Sequence, residues 1–583
     1  MIDNPKTIQT QKNANVESQP DFVQKRVLSS VPQELSYEYV VVTSSSLAPY
    51  FKKLISWKRQ KGINAGIVTM DYIRNNYTGD LISGIHDDAG KLRQYLFDAY
   101  QNGLMYALLG GDRDHVPIRI GCALDNTSHH YYTIPTDLYF SEFFGDWNVD
   151  EDQCYGEPSQ DSPGYQSHIY IGRLLCNDQQ EIANWTEKLL CYEIYPGNGN
   201  FTYLTKAFYA QSDGMQRAKL ATSFITKYTM FTTNTVFSET YNGEEDPYSV
   251  GIPQFPKGDD VVNEINQKYG FVSIIGHGSP CGVTVASQGD NNKPPNQHII
   301  KTIGFSGHSP LFEEGGNLEG MNNYGYPHIN YSVSCDNISY NDYPGHIGHD
   351  GNIGKSFTVL TKGGSVAFLG NTRNGYITFS RDLGLYFGEE INAGNYQLGI
   401  AEANSKLRLN LLNSTSRYII YSHNLLGCPE MEMWTNIPSI FNASVTENSN
   451  NSLTVSTGGV SGCRIAVISA ADDGLSYFQV KNNLSSVVFT NVVKPYYVTI
   501  TKHDYIPFVY SDIKYIQNQT YTSGSVIVDG NKVIAGENIT NLKPQGKVSI
   551  EENANVTFQA EKEIILERGF EVKKGAIFEA KTQ

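Results

Sequence analysis

Two residues able to do covalent chemistry stand at the ends of two predicted strands. The apolar run "FVSII" leads into Gly-His-Gly-Ser, which places His277 between two glycines, and the run "HINYSVS" ends at Cys335. A thiol beside an imidazole is the usual arrangement for cysteine nucleophilic catalysis, because the imidazole takes the thiol proton and later protonates the leaving amine. The pattern predicts a catalytic pair if both strands lie in one sheet.

The two glycines around the histidine have a mechanical use. Gly276 and Gly278 allow backbone conformations that are closed to other residues, and they let a substrate chain approach closely. The backbone amides of Gly278 and Cys335 would then point at the carbonyl oxygen of a bound substrate. We expect these two amides to form an oxyanion hole.

Each residue of the pair also has an ordinary structural explanation. An apolar strand that ends in cysteine usually supplies a buried thiol, and a histidine at a strand end usually makes only a hydrogen bond. The catalytic interpretation is favoured because the two residues occur in order on one predicted sheet. Other residues compete for the same roles, although the histidines among them fall in Gly/Asn-rich loops: His308, His346, His349, Cys281 and Cys428.

The elements needed to position such a pair are readable in the sequence. From Tyr37 the pattern runs strand, helix, strand, helix, strand, and a second series of the same kind begins near Thr202. Alternation of this kind predicts an α/β fold with a parallel sheet. Catalytic groups collect at the carboxyl ends of such strands, where both candidate residues fall. We divide this part into residues 36–199 and 200–436.

The regions that flank the α/β part differ from it in composition and in strand pattern. Residues 1–35 are polar and are read as a disordered N-terminal extension or the remnant of a pro-segment. Residues 437–510 show short alternating strands whose total length suits a small immunoglobulin-like β-sandwich. In residues 511–583, short strands begin at 548, 556, 564, 570 and 577. That near-regular spacing predicts a small solenoid-like β-repeat module.

Composition excludes several classes of function. A net charge of −16 argues against nucleic acid as the main partner. No apolar run approaches the ~20 residues of a membrane span, and the first twenty residues contain no apolar signal core. The eight cysteines form no CxxC pair, so a zinc site or a dense disulfide framework is not expected, although one or two disulfides remain open.

The order of several short motifs resembles one known family. The catalytic part is similar to the gingipain-type cysteine peptidases, family C25 of the caspase-like clan, over about residues 37–434. Seven segments occur in the family's order: "SWKRQKG", "YALLGGDRDHVP", "IYIGRL", "GHGS", "SVSCDN", "GGSVAFLGNT" and "LLGCPEMEM". In the last of them Cys428 replaces the usual aspartate, a change we expect to affect a turn and not the chemistry.

The resemblance implies a fold and an activity. It implies a caspase/gingipain-like domain of two side-by-side α/β subdomains, followed by an immunoglobulin-like module. It also implies a thiol protease in which Cys335 is the nucleophile and His277 the general acid/base. The interval between them is longer than in the family, and the extra residues between 282 and 328 are expected to cover the cleft and alter substrate access.

Substrate preference is carried over from the same resemblance. Gingipains cleave after Arg or Lys by means of an acidic residue in the primary pocket, and the matching region "YAQSDGMQRAKL" offers Asp213. A buried carboxylate there would pair with Arg in bidentate fashion. Asp213 also suits a helix N-cap, in which case the preferred residue need not be basic.

A second group of residues has calcium-loop spacing. The stretch "DWNVDEDQCYGE" places oxygen ligands at loop positions 1, 3, 5, 7 and 12. It departs from an EF-hand because Glu151 occupies the glycine position and no helical flanks are evident. Such crowded acids favour a structural calcium ion, which C25-like proteins often carry, and no organic cofactor is expected. The candidate ligands are Asp146, Asn148, Asp150, Asp152 and Glu157.

Taken together, the sequence predicts a hydrolase that acts on proteins or peptides. We expect a cysteine endopeptidase that forms a thioester and prefers a basic residue before the scissile bond. Two alternatives stay open: a transpeptidase (sortase-like) of the same fold, and a non-catalytic surface adhesin built on a protease-like domain. The family resemblance and the modular C-terminal region favour a secreted or cell-surface protein, attached through its C-terminal β modules.

Overall fold

The computed structural model describes residues 32–124, 131–157, 160–212, 219–238, 256–286, 298–304, 315–340, 352–540 and 542–582. Residues 1–31 of the predicted N-terminal extension, Asp213, and the histidines at 308, 346 and 349 lie outside the described residues, whereas Gln33–Leu35 at the end of that extension form a short 3-10 helix. Among the described helices, none has the length and apolar character needed to cross a bilayer.

The first half of the α/β part begins at a strand of consecutive β-branched residues. β1 carries the sequence YVVVT and every residue in it is buried, as is typical of a central parallel strand. The elements in chain order are β1 Tyr39–Thr43, α1 Lys52–Gln60, β2 Ala65–Thr69, α2 Met70–Asn76, α3 Asp88–Gln101, β3 Tyr106–Gly110, β4 Arg119–Leu124, β5 Tyr131–Thr136, β6 Tyr170–Leu174 and α4 Gln179–Ile194.

The second half repeats the alternation of strand and helix. Its elements are β7 Lys206–Gln211, α5 Leu220–Lys227, β8 Thr233–Ser238, α6 Gly258–Ile265, β9 Phe271–Ile275, β10 Gly278–Ser279, β11 Gly282–Ala286, β12 His298–Lys301, β13 His328–Val333, α7 Ile353–Thr358, β14 Ser365–Asn371, α8 Ile377–Asn392, α9 Leu398–Leu407, α10 Ser414–Ser422 and β15 His423–Leu426.

Capping residues set several helix boundaries. The Asp87 carboxylate accepts the Gly90 amide at 2.7 Å at the start of α3, and Asp178 caps α4 in the same way. After α1, Gly62 adopts φ +83°, the left-handed conformation typical of a helix end. The first helix therefore ends just before this glycine.

Ten strands form one continuous sheet with the order β2-β1-β3-β6-β15-β14-β13-β9-β7-β8. The two halves of the chain meet between β6 and β15, where Arg173 pairs with Leu426. Helices cover both faces, so the buried apolar residues form extensive clusters above and below the sheet. The α/β prediction is confirmed, and the two series lie side by side in one sheet.

The prediction of a wholly parallel sheet is wrong at one strand. β15 runs antiparallel to β14 and parallel to β6, so the sheet is mixed. β15 has only four residues and follows α10 without a glycine or proline between them. The sequence therefore carried no signal for a strand that fills the gap between the two halves.

The region between residues 282 and 328 contributes to the core. β10, β11 and β12 form a small antiparallel sheet, and Val283, Val285 and Ile300 are buried in the same cluster as the face of β9. Of the residues described here, this part is packed against the domain and is not a loose cover over a cleft.

Residues 439–511 form a separate all-β unit. Its strands are β16 Ser439–Ile440, β17 Ser444–Asn448, β18 Ser452–Ser456, β19 Arg464–Ser469, β20 Phe478–Asn482, β21 Ser486–Phe489, β22 Tyr496–Thr501, β23 Tyr505–Ile506 and β24 Phe508–Ser511. The sheets β17-β18-β21 and β20-β19-β22-β24 share one hydrophobic cluster. Whether this unit is immunoglobulin-like stays a prediction.

The C-terminal unit consists of parallel strands. They are β25 Ile513–Ile516, β26 Gln519–Tyr521, β27 Gly524–Ala535, β28 Val548–Ile550, β29 Ala554–Leu566, β30 Phe570–Val572 and β31 Ile577–Thr582. The orders β25-β27-β29-β31 and β26-β28-β30 show that successive chain segments stack on one another. Phe558, Phe570 and Phe578 pack together inside this stack.

Candidate active site

The two candidate catalytic residues follow neighbouring strands at equal distances. β9 and β13 pair in parallel, with Ile275 opposite Val333 as the last pair. His277 and Cys335 each stand two residues beyond that pair. The ladder continues one step further, because the Gly276 amide donates to the Val333 carbonyl at 3.3 Å. The two loops therefore leave the same edge of the sheet side by side.

The glycine after His277 packs directly against the cysteine. A methyl group at Gly278 would overlap the Cys335 carbonyl oxygen and would lie 2.9 Å from the Cys335 nitrogen and 2.8 Å from the Asn337 side-chain amide. The backbone of the histidine loop therefore touches that of the cysteine loop. His277 is exposed and Cys335 is half-buried, so both are open to a bound chain.

Two backbone amides surround the sulfur of Cys335. The Gly375 amide, which follows β14, donates to Sγ at 3.2 Å. The Gly278 amide is also near enough to the sulfur to lower the pKa of its thiol. Burial raises the pKa of the Cys335 thiol, the negative charge of Asp336 raises it further, and the two amides act in the opposite direction.

Hydrogen bonds to the next strand hold the cysteine loop in place. The Asn371 side-chain amide donates to the Ser334 carbonyl at 3.0 Å, and the Asp336 amide donates to the Arg373 carbonyl at 3.0 Å. Asp336 adopts φ +55°, a left-handed conformation that Asp and Asn tolerate better than most residues. The three carboxyl-terminal loops after β9, β13 and β14 therefore form one connected structure.

The competing thiols have other environments. Cys281 and Cys428 are buried, and burial raises the pKa of both. The Cys428 sulfur lies 3.5 Å from the Tyr39 hydroxyl in the core. Of the three thiols, only that of Cys335 follows a strand that pairs directly with β9.

The acidic loop brings three of its five predicted ligands together. Carboxylate oxygens of Asp150, Asp152 and Glu157 lie within 4.8 Å of one another. Burial raises the pKa of Glu157, and the charges of Asp152 and Asp150 raise it further. This is the electrostatic signature of carboxylates crowded together without a neutralising charge.

The other two predicted ligands are placed differently. Asp146 accepts the Asn148 backbone amide at 3.0 Å, and it does not belong to the group of close carboxylates found among the described residues. The Asn148 side-chain oxygen is buried and has no hydrogen-bond partner among the described residues. An orphaned oxygen beside crowded carboxylates is the donor set that a hard cation such as Ca²⁺ would satisfy.

One backbone feature of this loop also fits a calcium loop. Glu151, at the position where an EF-hand has glycine, adopts φ +62°. The chain therefore makes the sharp turn that this position requires, although the residue is not glycine.

A disulfide closes the acidic loop. Cys122 on β4 is bonded to Cys154, across a sequence separation of 32 residues. Asp161 accepts the Val149 amide at 2.6 Å and the Gly156 amide at 2.7 Å. The sequence left open whether a disulfide forms, and it did not identify Asp161 as a residue that holds the loop. Both depend on contacts between residues that are not neighbours in the chain, which local sequence patterns do not encode.

Two residues beside the nucleophile were also missed. Gly375 lies three residues beyond the segment "GGSVAFLGNT", and Asp336 stands beside Cys335 in "SVSCDN" without an assigned role. The signal that would have found Gly375 is its position after β14, which neighbours β13 in the sheet. Asp336 follows the cysteine directly, so its adjacency was the available signal.

Comparison with solved structures defines the class of fold. Gingipain R (RgpB), described as an Arg-specific cysteine proteinase, is similar with a TM-score of 0.57 at 14% identity, over 83% of this chain and 99% of that one. The complex of Porphyromonas gingivalis RgpB pro- and mature domains gives 0.57 at 14% identity, over 81% and 99%. A further structure, described as a protease, gives 0.52 at 15%, over 81% and 96%. The fold is gingipain-like.

The family model for peptidase family C25 matches residues 33–434. The chain belongs to this family, so it is a cysteine peptidase and its substrates are proteins. The predicted resemblance is confirmed. No curated protein matches the sequence significantly.

Proposed function

We propose that the protein is a cysteine endopeptidase in which Cys335 is the nucleophile and His277 the general acid/base. One observation carries this assignment: the two residues follow neighbouring parallel strands at the same distance, and Gly278 packs against the Cys335 backbone. Among the described cysteines, Cys335 is the one that follows a strand paired with β9, the strand that leads to His277.

The thiol needs activation before it can attack. Its pKa is raised by burial, so at neutral pH the sulfur is mainly protonated unless a base removes the proton. The imidazole of His277 would take this proton, and the amides of Gly278 and Gly375 would stabilise the thiolate by hydrogen bonds.

Attack on the peptide carbonyl would give a tetrahedral intermediate. The amides of Gly278 and Cys335 would hold its oxyanion. Gly278 packs against the Cys335 backbone, and its amide influences the thiol, so it stands beside the point where the bond to the substrate carbon would form. His277 would protonate the leaving amine, and water would then hydrolyse the thioester.

A basic residue before the scissile bond is part of the proposal. Gingipain R is described as Arg specific, and Asp213 is the candidate for the matching carboxylate in this chain. A carboxylate at the base of a pocket binds the guanidinium through two parallel hydrogen bonds, which explains why Arg would be preferred over Lys.

We also propose a structural calcium ion in the acidic loop. Asp150, Asp152 and Glu157 would supply carboxylates, and Asn148 and Asp146 would complete the set. The ion would neutralise the crowded charges and stiffen a loop already closed by the Cys122–Cys154 disulfide. It would play no part in peptide-bond cleavage.

The C-terminal units are proposed to be accessory modules. We assign residues 437–510 to an immunoglobulin-like sandwich and residues 511–583 to a solenoid-like module, supported by their sheet orders. Such modules suit a secreted or cell-surface protein that is attached through its C-terminal region. Proteolysis of intact cells that express the full-length gene, followed by detection of released protein, tests this location.

A peptide-library digest tests the enzymatic proposal. The wild type, Cys335→Ala and Cys281→Ala are compared by mass spectrometry of the products, with and without an added amine. We expect cleavage after Arg or Lys by the wild type and by Cys281→Ala, and none by Cys335→Ala. Amine-capped products would identify a transpeptidase, and an inactive wild type would favour the adhesin alternative.

A further inference from the structure

The carboxylate of Asp336 lies in an unusual position, directly after the proposed nucleophile. Asp336 is 5% exposed, and its Oδ1 atom has no hydrogen-bond partner among the described residues. A buried carboxylate with an unpartnered oxygen is costly when ionised. The proposed peptidase mechanism makes no use of this group, so its presence beside the sulfur needs an explanation.

The surroundings of Asp336 come from three elements. Arg373, in the loop after β14, faces it and favours its ionised form. Burial raises the pKa of Tyr418 on α10, and the charge of Asp336 raises it further. Cys335 directly precedes Asp336 in the chain. His277 stands in the adjacent loop after β9. These are the charged and titratable groups that surround the carboxylate in the described residues.

Arg373 does not neutralise the carboxylate fully. Its guanidinium donates to the Ser339 hydroxyl at 3.1 Å and to the Thr372 and Thr133 carbonyls at 2.8 and 3.2 Å. Burial raises the pKa of Asp336 to about 6 in spite of the nearby Arg373 charge. The carboxyl group therefore changes its charge within the pH range in which peptidases commonly work.

We propose that Asp336 is a positioning residue that controls the ionisation of the nucleophile: as a carboxylate it opposes formation of the Cys335 thiolate, and once protonated it no longer does so. This inference rests on the proposed function, because it presumes that Cys335 is the nucleophile. Two like charges on adjacent residues in a partly buried site repel each other, which is the physical basis of the effect.

The consequence is a thiolate fraction that falls less steeply with decreasing pH near the pKa of Asp336. In a simple thiol, the thiolate fraction falls tenfold for each pH unit below the pKa. Here protonation of Asp336 near its own pKa lowers the pKa of the thiol at the same time, so the fall is partly offset. A peptidase of this design would keep about three to ten times more thiolate in mildly acidic surroundings than one whose neighbouring carboxylate stayed ionised.

The test measures the rate at which iodoacetamide alkylates Cys335 between pH 4.5 and 9, with the site of labelling read by mass spectrometry. The key variant is Asp336→Asn, which has nearly the same shape and tolerates the left-handed backbone at φ +55°. The same comparison is made in the His277→Ala background, so that titration of the imidazole does not contribute.

We expect Asp336→Asn to be alkylated about three to ten times faster than its parent at pH 8, which corresponds to a thiol pKa lower by about 0.5–1. Below pH 5 the ratio of the two rates should fall to about one, since Asp336 is then neutral in the parent. A purely structural role would change the rates by a factor that does not depend on pH.

Asp473→Asn is the matched control, because Asp473 also has a positive φ of 50° but lies in the β-sandwich unit. Its alkylation profile should equal that of the wild type. If Asp336→Asn does not fold, Arg373→Gln serves instead: removal of the guanidinium should raise the pKa of Asp336, so the alkylation profile of this variant should change slope at a higher pH than that of its parent, and an unchanged profile would overturn the inference.

The outcomes separate this inference from the proposed function. An unchanged profile in Asp336→Asn, with activity still dependent on Cys335, overturns the inference alone. A higher KM for basic substrates together with an unchanged alkylation profile also overturns the inference, since Asp336 would then be a substrate-binding group. Full activity of Cys335→Ala overturns the proposed function.

Discussion

The two halves of the ten-stranded sheet end differently at the same edge. In the first half, the ends of β3 and β6 are closed by Arg173, whose guanidinium makes two hydrogen bonds with Asp137 at 2.9 and 3.0 Å and others with the Val116 and Pro117 carbonyls. In the second half, β9 and β13 end at an exposed histidine and a half-buried thiol. The ends of β3 and β6 are held by hydrogen bonds, whereas the ends of β9 and β13 are left accessible.

The difference shows how one architecture separates stability from chemistry. A buried bidentate pair with additional carbonyl acceptors fixes the loops of the first half but offers nothing to a substrate. The second half keeps a glycine where backbones touch and, beside the sulfur, a carboxylate with one oxygen that has no hydrogen-bond partner in the described part of the chain. We therefore expect substitutions in the second half to affect activity and those in the first half to affect stability.

The largest effect is expected from removal of the dyad. Cys335→Ala should lower kcat/KM by a factor of roughly 10⁴ or more, and His277→Ala by about 10²–10⁴, because nucleophile and general base act as a unit. Urea unfolding should show changes below about 1 kcal/mol. Loss of folding in either variant, or activity retained by both, would contradict the expectation that the second half of the sheet governs activity and the first half stability.

The second effect belongs to the first half of the sheet. Asp137→Asn leaves the Arg173 charge buried and unpaired, so we expect a loss of about 3–5 kcal/mol in the free energy of unfolding. The control is Glu563→Gln, which removes a surface pair with Lys532 and should cost less than about 1 kcal/mol. Equal losses in the two variants would refute the stabilising role of the buried pair.

The third prediction concerns the contact between the two catalytic loops. Gly278→Ala introduces a methyl group against the Cys335 backbone, which must push the loops apart. We expect kcat/KM to fall about 10–100-fold, with a smaller change in the melting temperature. Gly320→Ala is the control, since its methyl would meet only a Val262 methyl at 3.3 Å; a similar loss of activity there would count against the contact.

The smallest effect is expected from calcium, which should act on stability alone. Without the ion, the raised pKa of Glu157 means that the folded state holds its proton longer than the unfolded state, so stability falls as pH rises above about 4.3. Calcium replaces that proton. Thermal unfolding should therefore show a gain of roughly 2–4 °C at pH 7 and less at pH 4.5.

A chelator supplies the complementary measurement. The gain in melting temperature should disappear on addition of the chelator and in Asp152→Asn, while kcat at 25 °C stays within a factor of two of the untreated enzyme. Loss of activity that precedes any loss of structure would mean that the ion takes part in the chemistry.

Much of the catalytic edge was predictable because parallel strands place their ends together. The apolar runs before His277 and Cys335 identified two strands, and the α/β alternation placed them in one sheet. The antiparallel β15 was not predictable, since its four residues follow a helix without a boundary signal. The Cys122–Cys154 bond and the approach of Gly375 to the sulfur arise from contacts between distant segments, which local patterns do not encode.

The most direct test of the central claim uses an electrophilic peptide that reacts only with an activated nucleophile. A peptidyl acyloxymethyl ketone with Arg next to the reactive group is incubated with the wild type, and the labelled residue is identified by mass spectrometry. The account predicts one adduct, on Cys335, that forms at least tenfold more slowly in His277→Ala. An adduct on Cys281 or Cys428, or an equal rate without the imidazole, would contradict it.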